Sequence, residues 1–100
     1  MKHGEIWLCE SPATTRPALI LTRDTALGLL QGITVAGITK TPRRGPTQLN
    51  LGNEEGLRLE CVANFDDISV VNRAFLTHKI GDLGARRREI CAALHALADC

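Results

Sequence analysis

Arg16 stands directly before the apolar run Pro17-Ala18-Leu19-Ile20-Leu21, and Thr39 closes a second run, Ile33-Thr34-Val35-Ala36-Gly37-Ile38-Thr39, with Lys40, Arg43 and Arg44 just beyond it. A guanidinium makes planar, charge-assisted hydrogen bonds to phosphate oxygens, a threonine hydroxyl adds a short donor, and a cationic loop attracts anions from a distance. Together these residues form a candidate phosphate site. Pro17 pushes Arg16 toward an extended backbone, so the guanidinium emerges from a stiffened point at the edge of a sheet. Ordinary solvated charge is the competing reading of the same cations.

Other constellations carry less. Cys91, His95 and Asp99 are spaced four apart on a helix, which resembles a nucleophile, a base and an orienter. A row of side chains about 5 to 6 Å apart on an outer face offers no pocket, however, and flank packing with solvent contact is the preferred reading. Cys91 and His95 lack a third ligand nearby in sequence, so no metal site is expected. Asp66 and Asp67 are consecutive, and neighbours on a strand point to opposite faces; a solvated turn is expected there. His3 and His78 are lone histidines beside strands, and they are the groups whose ordinary pKa suits proton transfer near neutrality. Cys9, Cys61, Cys91 and Cys100 contain no Cys-x-x-Cys pair, and free thiols are expected.

The elements that must position these groups are legible from composition and period. One hundred residues with 44% apolar and 23% charged content suit a single domain spanning 1–100. No run approaches the length of a membrane helix, and Met1-Lys2-His3-Gly4-Glu5 lacks an apolar signal core, so a cytoplasmic location without membrane contact is expected. The net charge of +1 conceals a division. Residues 11 to 53 set Arg16, Arg23, Lys40, Arg43 and Arg44 against Asp24 alone, and residues 54 to 67 set Glu54, Glu55, Glu60, Asp66 and Asp67 against Arg58 alone. One surface can therefore attract phosphates while another attracts a basic partner.

Gly4 to Cys9 alternates as a first strand, and a short polar connection leads to the Arg16 strand, so the two should pair. Leu19 to Leu21 reads as buried on both faces. Asp24 is placed to cap a helical turn over Thr25 to Leu30. Ile33 to Thr39, β-branched at five of seven positions, is a strand, and the basic loop after it lies between two prolines. Gln48 to Leu51, Glu60 to Phe65, Ile68 to Val71 and Leu76 to Ile80 read as further short strands. Ala85 to Ala98 is a helix whose Ile90, Ala93, Leu94 and Leu97 form the packed stripe. Arg86, Arg87 and Arg88 at its start should turn to Glu89 and Asp82. Most of the chain is thus short β.

These segments, in this order, resemble the MazF/PemK toxins, ribonucleases of bacterial toxin-antitoxin systems. The likeness runs through Gly4-Glu5-Ile6-Trp7-Leu8, Arg16-Pro17-Ala18-Leu19-Ile20-Leu21, Val35-Ala36-Gly37-Ile38-Thr39, Pro46-Thr47, Gly56-Leu57, Asp67-Ile68-Ser69-Val70-Val71-Asn72 and Ile80-Gly81-Asp82-Leu83 to the closing helix. The resemblance implies a mainly β fold, an SH3-like, partly open small barrel with one C-terminal helix and a short helical turn. It implies a homodimer that cleaves single-stranded RNA without metal or other cofactor and is held in check by a cognate antitoxin protein. Arg16 and Thr39 match the family's catalytic arginine and threonine. In that reaction the ribose 2′-hydroxyl attacks phosphorus, leaving a 2′,3′-cyclic phosphate and a 5′-hydroxyl.

On this expectation Lys40, Arg43, Arg44 and Asp67 meet RNA, and an acidic antitoxin segment competes for the same cations. Three departures stand out: a shortened connection before Arg16, Gly37 where proline is common, and Asp67 where glutamine is frequent. A second class is open, the gyrase-poisoning toxins resembling CcdB, which share the fold but do not cut RNA. They rely on a tryptophan-containing terminal tail, whereas this sequence closes Ala98-Asp99-Cys100. A small barrel that only binds protein is the third. Arg16 and Thr39 together favour the nuclease.

Overall fold

Alternating apolar residues and β-branched runs become six strands in the computed structural model, which describes residues 1–40 and 45–98. They are Glu5–Glu10 (β1), Thr15–Ile20 (β2), Gly32–Thr39 (β3), Gln48–Leu51 (β4), Cys61–Asn72 (β5) and Leu76–Asp82 (β6). Two helices accompany them, Asp24–Leu27 (α1) and Arg88–Leu97 (α2), together with 3-10 turns at Asn53–Glu55, Arg73–Phe75 and Gly84–Arg87. The strands form one antiparallel sheet in the order β4-β5-β3-β2-β1-β6. The expected pairing of the first two strands is present, from Ile6 opposite Leu19 to Glu10 opposite Thr15.

The sheet curls until its edges approach without pairing. The turn after β4 presses Glu55 and Gly56 backbone against Ile80 and Gly81 of β6, and a Cβ on Gly81 would collide with the Glu55 carbonyl. Gly56 sits at φ 94°, a left-handed conformation that glycine adopts without strain. A mainly β, partly open barrel results, as expected.

Each face of the sheet carries its own core. Ile6, Leu19, Ala36, Ile38 and Phe65 pack inside with Ile90 and Ala93 of α2. Cys9, Ala18, Ile20, Ile33 and Val35 pack on the other face under Leu27 of α1 and Leu76. The β2 strand is therefore buried on both faces, which explains its unbroken apolar run. Phe65, Ile6, Leu19, Ile20, Ile33 and Ile90 are the largest fully buried side chains.

Four expectations need correction. The strands expected at Glu60 to Phe65 and Ile68 to Val71 are not two strands around a solvated Asp66-Asp67 turn; from Cys61 onward they belong to the twelve-residue β5, whose pairing with β3 jumps from Gly37 opposite Asn64 to Ala36 opposite Ile68. Asp66 and Asp67 lie in the resulting bulge, where extra residues bend a strand without ending it. Asp24 does not cap α1. It is the helix's first residue, and its carboxylate accepts the His3 backbone N–H at 2.7 Å. The closing helix starts as a 3-10 turn, and Leu97, expected in the packed stripe, is 40% exposed at its frayed end. Of the three clustered arginines, Arg86 does turn to Glu89, but its second carboxylate is Glu55 instead of Asp82.

Candidate active site

The β2 and β3 strands are paired from Ile20 opposite Val35 to Ala18 opposite Gly37. Period two then puts Arg16 on the face of Ala18 and Ile20, and Thr39 on the face of Val35 and Gly37, which is the same face. Beyond Gly37 the ladder stops, because Pro17 has no N–H to donate. The two open strand ends form the wall of a groove lined by Thr15, Arg16, Pro17, Ile38, Thr39, Lys40 and Cys61. Arg16 is thereby brought together with Thr39 and Lys40, which are distant from it in sequence. The groove continues past Lys40 and Cys61 into a wider concavity along β4, whose lining includes Gln48, Asn50, Glu54, Arg58 and Glu60.

Asp67 reaches Arg16 as well. Its Oδ2 accepts a hydrogen bond from Arg16 Nη2 at 2.6 Å, with the two side chains 40% and 44% exposed. Gly37 lies beneath this pair. A Cβ there would stand 2.6 Å from Arg16 Nη2 and closer still to Asp67 Oδ2, so the missing side chain is what leaves room for the contact. Cys9 faces Arg16 across the β1 and β2 ladder. Burial pushes its thiol pKa up, although the Arg16 charge pulls the other way, so the sulfur stays protonated at neutral pH.

The remaining candidates fall elsewhere. Arg43 and Arg44 of the basic loop lie outside the described residues, as do Asp99 and Cys100. Asp66 turns away from Arg16 and accepts from the Thr47 hydroxyl at 2.8 Å. His3 lies against the Leu21 carbonyl at 3.1 Å. Leu21 is five residues beyond Arg16, about 16 Å of extended chain, so His3 lies well along the sheet from the guanidinium's strand position. His78 stands on β6 with Thr77 and with Glu10, whose Oε1 is 3.6 Å away, and it does not line the groove. Cys91 and His95 are exposed on α2.

Two features of the groove were not read from sequence. The Arg16 to Asp67 contact joins positions 51 apart, and only the β3 to β5 bulge brings them together. Gly37 next to a β-branched run was the available signal, since a glycine inside a strand marks a bulge or a close approach. Cys61 in the groove wall had no signal at all.

A family model described as "PemK-like, MazF-like toxin of type II toxin-antitoxin system" matches residues 2–98. Among curated proteins, the probable endoribonuclease MazF2 of Mycobacterium tuberculosis is 34% identical over 102 residues, covering 100% of both chains. The probable endoribonuclease MazF5 of the same species is 36% identical, over 98% of this chain and 93% of its own. Among solved structures, the Mycobacterium tuberculosis toxin MazF-mt6 superposes with a TM-score of 0.84 at 28% identity, covering 91% of this chain and 92% of that one. A mycobacterial endoribonuclease in complex with its cognate antitoxin superposes with a TM-score of 0.82 over 97% and 94% of the chains, a likeness of fold at 23% identity.

Proposed function

Because this chain belongs to the PemK-like, MazF-like toxins of type II toxin-antitoxin systems, we propose that it is an endoribonuclease that cuts single-stranded RNA by attack of the ribose 2′-hydroxyl on the adjacent phosphorus. The observation that carries this reading is the convergence of Arg16 and Thr39 on one groove at the open ends of β2 and β3. A guanidinium there can hold the nonbridging phosphate oxygens and stabilise the charge that develops on the phosphorane, an effect that contributes roughly 3 to 4 kcal/mol when one such donor is removed. The Thr39 hydroxyl lies on the same wall to bond a nonbridging oxygen. Lys40, and Arg43 and Arg44 in the basic loop, draw the RNA backbone toward the groove, and Asp67, bonded to Arg16, meets the nucleotide beside it.

The substrate supplies its own nucleophile, so the reaction needs no metal or cofactor. It leaves a 2′,3′-cyclic phosphate and a 5′-hydroxyl, and cutting RNA in the cytoplasm arrests translation and growth. The active form is a homodimer, and a cognate antitoxin with an acidic segment silences it by occupying the same cationic groove. Among the described residues no helix is long and apolar enough to cross a membrane. The test is incubation of the purified protein with mixed RNA in EDTA followed by mapping of the ends. Discrete cuts with 5′-hydroxyl ends are expected; intact RNA, or cuts that leave 5′-phosphates, would refute the reading.

A further inference from the structure

From the geometry around Arg16 we infer that Asp67 is the general base that takes the proton from the attacking 2′-hydroxyl. This rests on the endoribonuclease reading above. The 2′-hydroxyl must lose a proton as it attacks, and among the described residues the carboxylate paired with Arg16 is Asp67. Arg16 stays charged at every working pH and has no lone pair to give. His3 lies against the Leu21 carbonyl and His78 against Thr77 and Glu10, and neither bonds Arg16. Cys9 is buried, with its thiol pKa raised. Asp66, the neighbouring carboxylate, is turned to Thr47.

Four features combine at Asp67. It lies in the bulge of β5, a device that re-aims a side chain out of strand alternation. Gly37 vacates the space it occupies. Its Oδ2 is held by Arg16 at 2.6 Å, and its second oxygen takes no hydrogen bond from the described residues. The side chain is 44% exposed, so a substrate can reach it.

The position also suits the chemistry. In the attacking geometry the 2′-oxygen lies about 3 to 3.5 Å from the phosphorus whose nonbridging oxygens Arg16 would hold. A base for that hydroxyl must therefore sit beside the phosphate clamp, and Asp67 is bonded to it. The step balances as follows. Asp67 accepts the hydroxyl proton as the 2′-oxygen bonds to phosphorus, the bond from phosphorus to the 5′-oxygen breaks, and that oxygen takes a proton from water. The proton on Asp67 then returns to solvent. The ionisable group bonded to the carboxylate is Arg16 from β2, with Cys9 of β1 opposite Arg16 in the ladder, Asp66 next in the chain, and Lys40 and Cys61 in the groove that Arg16 lines.

Single-turnover cleavage of an RNA oligonucleotide carrying a mapped cut site, followed from about pH 4 to 9 in wild type, Asp67→Asn and Asp67→Ala, tests this. Asp67→Asn keeps an oxygen to accept from Arg16 but cannot take a proton. Its rate should fall by roughly 10²- to 10⁴-fold, and the acid-side decline of the wild-type profile should vanish. Binding of the same strand with a 2′-deoxy sugar at the cut should be no weaker than in wild type. Adding formate to Asp67→Ala should restore cleavage by about tenfold or more, which a structural role would not allow, and this comparison within one sample holds even if Asp67→Asn folds poorly. An Asp67→Asn protein that cuts within about threefold of wild type with the same acid limb overturns the proposal, as does an inactive Asp67→Ala that formate does not revive. A wild type that cuts no RNA at all instead removes the endoribonuclease reading, and this inference falls with it.

Discussion

Arg16 and Arg86 each face a carboxylate, yet they engage their donors differently. Among the described residues Arg86 makes four polar contacts. Its Nε and Nη2 fork Glu89 at 2.7 and 3.1 Å, Nη1 lies 3.2 Å from Glu55, and Nη2 also donates to the Asn50 carbonyl at 3.0 Å. Those partners belong to α2, the turn after β4, and β4 itself, so Arg86 ties the helix to the edge where the barrel nearly closes. Glu55 is 6% exposed and also accepts the Gly52 N–H at 2.8 Å, so its carboxylate is engaged by the fold. The hydrogen bond to Glu89 raises the Arg86 pKa first of all, against burial, and the same bond lowers that of Glu89. Among the described residues Arg16 makes one ion pair, to Asp67, at a half-exposed site. An arginine with its fork filled by the fold is structural; one with donors left over is available to a substrate.

Exchanging the two roles by mutation gives the largest expected effects. Arg16→Ala should lower RNA cleavage by about 10³-fold or more while changing stability by less than about 0.5 kcal/mol, because both partners of its ion pair already meet water. Cleavage assays beside thermal unfolding read both quantities. Arg86→Ala should do the reverse. It strands the buried Glu55, which costs about 2 kcal/mol after allowance for the part of Arg86 that solvent reaches, or roughly 10 °C in Tm. The folded fraction should cut RNA at the wild-type rate. Equal loss of activity in two well-folded variants would erase the distinction.

Gly37→Ala sharpens the comparison at the groove. The new methyl must displace the ends of Arg16 and Asp67, which are flexible and half exposed, so cleavage should fall by about tenfold with little change in Tm. Circular dichroism melting alongside single-turnover kinetics would show whether the loss is confined to activity.

The smallest effect concerns pH. Glu5 is another saturated carboxylate: it accepts from Trp7 Nε1 at 3.0 Å and the Lys2 N–H at 2.8 Å, and it lies 3.0 Å from Lys79 Nζ. Burial alone would raise its pKa, but the bonds from Trp7, Lys79 and Lys2 together bring it below the usual 4.5. The unfolded chain therefore takes up this proton first as acid is added. The stability contributed by Glu5 is complete above about pH 4.5 and is lost as pH falls through the lower folded value. Glu5→Gln should flatten the dependence of Tm on pH in that window, and an unchanged slope would show that other carboxylates dominate it.

Strands and helix were legible because their signals are local. Five β-branched residues in Ile33 to Thr39, the apolar run after Pro17, and the stripe of Ile90 and Ala93 each depend on neighbours within a few positions, where period and propensity act. The end of each run also located Arg16 and Thr39. Where the reading failed, a distant partner had intervened. Asp24 looked like a cap, but its carboxylate is taken by the His3 backbone N–H. Asp66 and Asp67 looked like a turn, but pairing with β3 carries β5 straight through them.

By itself, then, the sequence determined the kinds of elements, their order and the two residues that head the groove, since strand period, proline and glycine act within a short reach of chain. Tertiary structure alone decided which carboxylate meets which arginine. Arg16 finds Asp67 because a bulge shifts the register of β5 against β3 over Gly37, and Arg86 finds Glu55 because the sheet curls its two edges together. Such contacts depend on register and curvature summed over several strands, which no local pattern encodes.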